Sequence, residues 1–538
     1  MQPIRTLLAL SLMALAACSG GERRVDAGNR DGILHFGNST EPQDLDPQAT
    51  TGVPESHIHY ALFEGLVSKD PTTLDPVPGV AESWDVSDDR LTYIFHLRHD
   101  AKWSNGEPVT AEDFRWSWWR ALQPKLGNEY AYMMYAIVNA ENYFTEKITD
   151  FSQVGVHVVD DYTLEVKLKD PIPYFLQLLD HHTFFPVPRK VIEKYDGVTN
   201  KFSGWTRAGR MISNGPFRLT DWKLNKYVKV EKNPYYWDTA KVKLNGIVFY
   251  PTENLVTEER LFRSGQLHRT EYMPLDKIPV YRRDHPEQLH MNLYLGTYYY
   301  MLNVTRPPLN DARVRRALAM AIDRNTLIEK ALNGANAPSV TMTPPGTIGY
   351  QPPKLFTFDP EAARKLLAEA GYPDGKGFPK IEILYNTMEQ HRKIAVTVQQ
   401  MWKKYLNIDV TMINQEWKVY LDSRNTKNFD IARASWIGDY VDPDTFLTMW
   451  IKDGGNNDTG WSNKEYDDLI LRKIPAMKTK EERLAGFYQA ETILLTEMPI
   501  IPIYTYTTQH LVTTNVKGAP FNIMDYYSFK NISLEETR

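Results

Sequence analysis

Cys18 is the only cysteine among 538 residues, and that count constrains the fold more than any motif does. One thiol permits no disulfide within the chain. A protein of this size must then be held by packed apolar cores. At roughly 150 residues per domain there are about three of them. The 31 Tyr and 13 Trp offer flat apolar surface with a polar edge, suited to burial and to binding clefts alike; ordinary packing accounts for most of them. The formal charge of −5 is mild, and no Lys/Arg run is long enough to mark a nucleic-acid partner.

The same cysteine ends the N-terminal leader. Arg5 precedes an uncharged run from Leu7 to Ala17. That run is too short for a membrane span, which takes about 20 apolar residues, but it suits a secretory signal peptide over residues 1–17. Leu15-Ala16-Ala17 satisfies a plain signal-peptidase site. Leu15-Ala16-Ala17-Cys18 also resembles the bacterial lipobox, in which the cysteine is lipidated and becomes the first residue. The position of the lone thiol favours lipidation of Cys18. Residues 18–32, polar and rich in Gly, Arg and Asp, then read as a flexible tether. The expected location is periplasmic, with the membrane reached through the lipid anchor only. Ser19 after the cysteine leaves inner versus outer membrane open.

The rest alternates strand and helix patterns. Tyr93, Phe95 and Leu97 share one side of a strand, as do Leu164, Val166 and Leu168. Tyr227 to Val230 is another strand, ahead of a turn at Asn233-Pro234. Thr110-x-x-Asp113 caps an aromatic helix. Asp311 opens a helix carrying Val314, Leu318 and Ile322. Asp359-Pro360 starts one that Gly371 ends. Thr479-x-x-Glu482 is a capping box, and Pro499 and Pro502 stop its helix ahead of an apolar strand, Ile500 to Tyr506. The fold class is α/β or α+β with several domains.

No nucleophile elbow, zinc helix, phosphate loop or dinucleotide fingerprint is present. His181-His182 is the densest histidine cluster. Two adjacent imidazoles do not easily face one metal, so a surface or domain-interface place is expected. Paired carboxylates occur at the background level of a chain with 67 acids, so a secreted hydrolase stays as an alternative without specific support.

Residues 78–114, PGVAESWDVSDDRLTYIFHLRHDAKWSNGEPVTAEDF, resemble the signature of the peptide and nickel class (family 5) of solute-binding proteins of ABC importers. Further motifs agree in the same order along the chain: GVPES from Gly52, LFEGL from Leu62, NGPF from Asn214, NPYYW from Asn233 and LLAEAGYPDGKGFP from Leu366. GTYYY, LYNT, NQEW and ARASWIGDY resemble the oligopeptide-binding branch of that class. The resemblance spans residues 33 to 538.

A binder of many peptides must read what they share: backbone, ammonium and carboxylate. An extended ligand can add as a strand, with charge-assisted hydrogen bonds at its ends. The resemblance places these roles on this chain. Asp439 matches the carboxylate that holds the ligand ammonium. Arg433, Arg424, His391 and Arg306 match cations toward the ligand's C-terminal side. Trp417, Asn386, Tyr130 and Tyr504 match channel-lining residues, and Val53 lies in a segment that pairs with the ligand backbone. Ser435 and Ile437 stand where the family pattern has Gly and Cys, and serve through backbone groups. Arg306 replaces a Lys, which keeps the charge but changes its geometry. The run from Arg263 to Pro274 departs from the pattern, which puts pocket shape there in doubt. Each residue also has a bland reading: Asp439 as a turn cap, the arginines as surface ion-pair partners, Trp417 as core.

The resemblance implies a periplasmic-binding-protein-like α/β fold of two lobes joined by a two-strand hinge, with an inserted third domain. Domain I takes residues 33–63, 188–288 and 507–538, domain II residues 64–187, and domain III residues 289–506. It further implies a monomer that captures oligopeptides and delivers them to permease subunits served by separate ATPase subunits, with no cofactor, metal or catalytic step. A muropeptide, a dipeptide, a nickel chelate and haem remain alternative ligands.

Overall fold

Two long strands tie the molecule together. The structure, a computed structural model, describes residues 22–477 and 479–535; the expected signal peptide and Cys18 lie outside them. Strand Leu289–Leu302 leads out of the first lobe, and strand Ile500–Leu511 returns beside it, antiparallel. Fourteen extended residues cover about 45 Å, enough to link two lobes. Side chains alternate along a strand: Tyr298, Tyr300 and Leu302 enter one core, and Tyr299 and Met301 enter the other.

The first lobe holds two four-stranded sheets. One runs Ile33–Gly37, Gly246–Tyr250, Tyr227–Lys232, Phe217–Lys223, with its first pair parallel. The other is the antiparallel set Ala81–Val86, Thr92–Leu97, Thr163–Lys167, Val156–Asp160. The second lobe is built on a mixed six-stranded sheet, ordered Ala337–Pro338, Ile500–Leu511, Leu289–Leu302, Ile431–Ile437, Ile381–Asn386, Val410–Gln415. After Leu511 the chain rejoins the first lobe, where the Thr270 amide donates to the Leu511 carbonyl at 3.0 Å and Phe529 packs edge-on to Phe36.

The expected caps are present. Asp113 accepts from the Thr110 amide at 2.8 Å, and Thr479 and Glu482 bond reciprocally. Asp359 caps the helix Pro360–Glu369, and Gly371 follows it with φ +99°, a conformation that glycine adopts without strain.

Three placements differ from expectation. Ile322 lies past the end of its helix, Ala312–Met320. Pro502 lies inside strand Ile500–Leu511, opposite Tyr299, where the register shifts; a bulge tolerates its missing N–H. Within the expected tether, Arg24–Asp31 forms an α-helix. Tertiary bonds hold it: the Val25 amide donates to Gly265 at 2.9 Å, and Asn29 contacts His268 and Asn515.

Candidate ligand-binding cleft

Strand Ile431–Ile437 lies at the junction of the lobes. One edge pairs with Leu289–Leu302 along its whole length, Gly296 opposite Ile437 through Leu302 opposite Ile431. The other edge pairs with Ile381–Asn386 only at Ile431 and Ala432, so Arg433 to Ile437 have a free edge. Backbone groups of alternate residues face alternate edges. The Arg433 carbonyl accepts from the Tyr420 hydroxyl, so Ser435 and Ile437 direct their N–H and C=O groups to the same free side. Both line a cavity of about 180 Å³ between the lobes.

Asp439 follows at one end of this edge. The Gly438 amide donates to Leu295 at 2.7 Å, and the Asp439 amide to Thr445 Oγ1 at 3.0 Å. Its carboxylate lies 3.5 Å from His181 Nε2. Burial pushes the Asp439 carboxyl up to about 7, against the pull of the Lys69 ammonium.

Arg433 occupies the other end. It donates to Ser435 Oγ at 3.1 Å, Tyr506 Oη at 2.9 Å and Asn386 Oδ1 at 3.3 Å, and lies over the Tyr298 ring. Its Nε has no partner among the described residues, nor has Trp417 Nε1. Arg424, on helix Trp417–Asn425, pairs with Asp458 at 2.8 Å. The cleft thus has a carboxylate at one end, donors at the other, and an unpaired strand edge between them.

Asp439, Arg433, Arg424, Trp417, Tyr130, Val53, Ser435 and Ile437 all line this cavity. The other four lie outside its lining. Asn386 supports Arg433. Tyr504 stacks on Tyr298 at 4.8 Å. His391 is buried 5.6 Å from the same ring, and desolvation holds it well below the usual imidazole range. Arg306 lies 3.7 Å from Asp430. Conversely, His181 and His182 are buried in the cleft wall against Tyr130. Lys69, with Asp180 beside it, also faces the cavity, a residue that no sequence pattern singled out.

His57, Glu271 and Asp525 bring ligand-type atoms within 4.8 Å of one another. Arg269 already fills that role, 2.8 Å from Glu271 and 3.3 Å from Asp525, so these residues do not fit a cation.

Comparison with known proteins identifies the family. The model for bacterial extracellular solute-binding proteins, family 5, matches residues 75–458. The chain is 38% identical to the periplasmic oligopeptide-binding protein OppA of Escherichia coli (strain K12) over 491 residues, covering 89% of this chain and 88% of that protein. Among solved structures, the Haemophilus influenzae OppA complex with RPPGFSPFR has a TM-score of 0.88 at 35% identity, covering 94% and 99% of the two chains. The murein tripeptide binding protein MppA of Escherichia coli has a TM-score of 0.89 at 37% identity, with the same coverage. A structure titled as unliganded, open MppA reaches only 0.64, with 94% and 97% covered at the same identity. The lobes here are therefore arranged unlike the open form, with the cleft shut. On this evidence, the chain belongs to the bacterial extracellular solute-binding proteins of family 5.

Proposed function

We propose that this protein captures oligopeptides in the closing cleft and delivers them to an ABC importer. The observation that carries this reading is the free strand edge of Arg433–Ile437, flanked by Asp439 and Arg433. The free edge from Arg433 to Ile437 covers about 13 Å, and Asp439 lies two residues beyond it, which suits a ligand of a few extended residues. Its backbone would pair with Ser435 and Ile437, its ammonium would meet Asp439, and its carboxylate would meet Arg433 or Arg424. The reading involves no catalysis.

The remaining roles belong to the same proposal. Residues 33–63, 188–288 and 507–538 form domain I, 64–187 domain II and 289–506 domain III. Cys18 carries a lipid anchor, and the monomer works in the periplasm with permease and separate ATPase subunits. His391 and Arg306 serve ligands of other lengths. Mass spectrometry of ligands released from the purified protein tests the reading: intact peptides support it, and turnover of added tripeptides, or release of a non-peptide ligand alone, would sink it.

A murein peptide is a second reading, favoured by a side chamber that meets the cleft at Glu129 and Asn425. Lys427 and Lys452 line this chamber and have no ion-pair partner among the described residues. Lys201, Glu129, Asp453 and Asp458 line it too; Glu129 and Asp458 already pair with Lys201 and Arg424, which leaves Lys427 and Lys452 to meet a ligand with an additional carboxylate.

A further inference from the structure

Lys69 ends the short strand Val67–Lys69 of the first lobe. Its side chain is 2% exposed and lies 3.2 Å from the Asp180 carboxylate, itself 3% exposed. Lysine is almost never buried this far unless paired. Across the cleft, Lys69 Nζ donates to the backbone carbonyl of Asp439 at 3.4 Å, and the faces of Tyr60 and Tyr526 flank it. The Lys69 ammonium therefore touches the anchoring residue of the opposite lobe while remaining paired with Asp180 on its own lobe.

The nearby charges balance among themselves. Glu64 lies 3.6 Å from Lys530 and accepts from Tyr236 and Trp237; Asp238 lies 3.2 Å from Lys241. His181 and His182 are kept neutral by burial. With their carboxylates ionised, Asp180, Lys69 and Asp439 sum to one buried negative charge. An uncompensated buried charge is strongly unfavourable. Burial also raises the affinity of the Asp439 carboxyl for a proton, with Lys69 opposing it.

We propose that Lys69 and Asp180 are the first lobe's share of the ammonium site. Asp180 holds Lys69 on the Asp439 carbonyl and off its carboxylate, so the lobes close into a neutral site only around a ligand with a cationic N-terminus. Lys69 is a positioning residue. Released from Asp180, it becomes an internal competitor for the place of the ligand ammonium. This inference rests on the reading of Asp439 as the ammonium anchor.

Calorimetry at pH 8 with tri- and tetraalanine, free and N-acetylated, tests it. Asp180→Asn should weaken binding of the free-amine peptides by about 30-fold and shrink the penalty for N-acetylation. Adding Lys69→Met to Asp180→Asn should regain about tenfold of that loss, because the competitor is gone. A purely structural role predicts the reverse, a double variant at least as impaired as the single. No loss in Asp180→Asn, or no recovery in the double variant, overturns the inference. Asp180→Ser serves as the single variant if the amide does not fold. Asp439→Asn separates the two levels. Unchanged affinity there, or no binding of the alanine peptides by the unaltered protein, ends the anchor reading and this inference with it. A lost affinity without charge rescue ends this inference alone.

Discussion

Tyr174 of the first lobe stacks on Tyr440 of the second, ring centroids 4.8 Å apart and planes inclined by 12°. Arg483 lies over the Tyr174 ring at 5.5 Å and pairs with Asp442 at 3.1 Å. Tyr440 is the residue after Asp439, so this clasp between the lobes adjoins the proposed ligand anchor. An aromatic pair adds about 0.5–1.5 kcal/mol beyond its buried area. Tyr174→Ala should raise the peptide dissociation rate about three- to tenfold while the association rate changes little. Stopped-flow displacement measures both; an unchanged dissociation rate would remove the clasp from the closing mechanism.

Arg433 should recognise a terminal carboxylate. In the unaltered protein, trialanine amide should bind more weakly than trialanine by about 2–5 kcal/mol. Arg433→Gln should bind trialanine and its amide about equally. A variant that still penalises the amide would move the carboxylate site elsewhere, with Arg424 the next residue to replace.

Glu491 offers a stability test away from the cleft. It is fully buried, accepts from the Met342 and Thr343 amides at 2.8 and 3.0 Å and from the Tyr350 hydroxyl. Desolvation raises its carboxyl from 4.5 to about 7. The folded state therefore holds an extra proton between these values, and stability falls as pH rises through that window. The shift corresponds to about 3 kcal/mol. Glu491→Gln keeps the shape and an acceptor, so it should raise Tm at pH 8 relative to the parent and leave little difference at pH 4. Equal effects at both pH values would show that Glu491 does not titrate there.

Arg269 staples the returning C-terminal segment to the first lobe. It contacts Glu271, Asp525 and the Tyr527 hydroxyl and lies 4.4 Å from the Phe36 ring. Arg269→Leu leaves two buried carboxylates without their cation and should cost about 3–5 kcal/mol. Urea unfolding should show this as a lower midpoint; an unchanged midpoint would remove Arg269 from the staple.

The elements and ends of the site were legible where the signal is local or carried by a motif. Capping pairs at Thr110 and Thr479 marked true helix starts, because a cap is decided within four residues. ARASWIGDY contains both Arg433 and Asp439, one on the strand and the other two residues past its end. The Lys69–Asp180 pair was not legible: its partners lie on distant segments, and neither residue type marks burial. His181-His182 pointed to an interface, but its place beside Asp439 depends on lobe closure. The polar composition of residues 24–31 suggested a loose tether, whereas Asn29 and Val25 gain their helix from tertiary bonds that composition does not reveal.

The half-paired strand has a consequence for the empty protein. An exposed run of unmatched N–H and C=O groups is a template for pairing with any other extended chain. Here that run, Arg433 to Ile437, is covered when the lobes shut. Opening without a ligand would uncover a sticky edge, most hazardous where copies crowd together. On this view a bound peptide is cargo and also a guard, and a supply of ligand would help keep the receptor from aggregating.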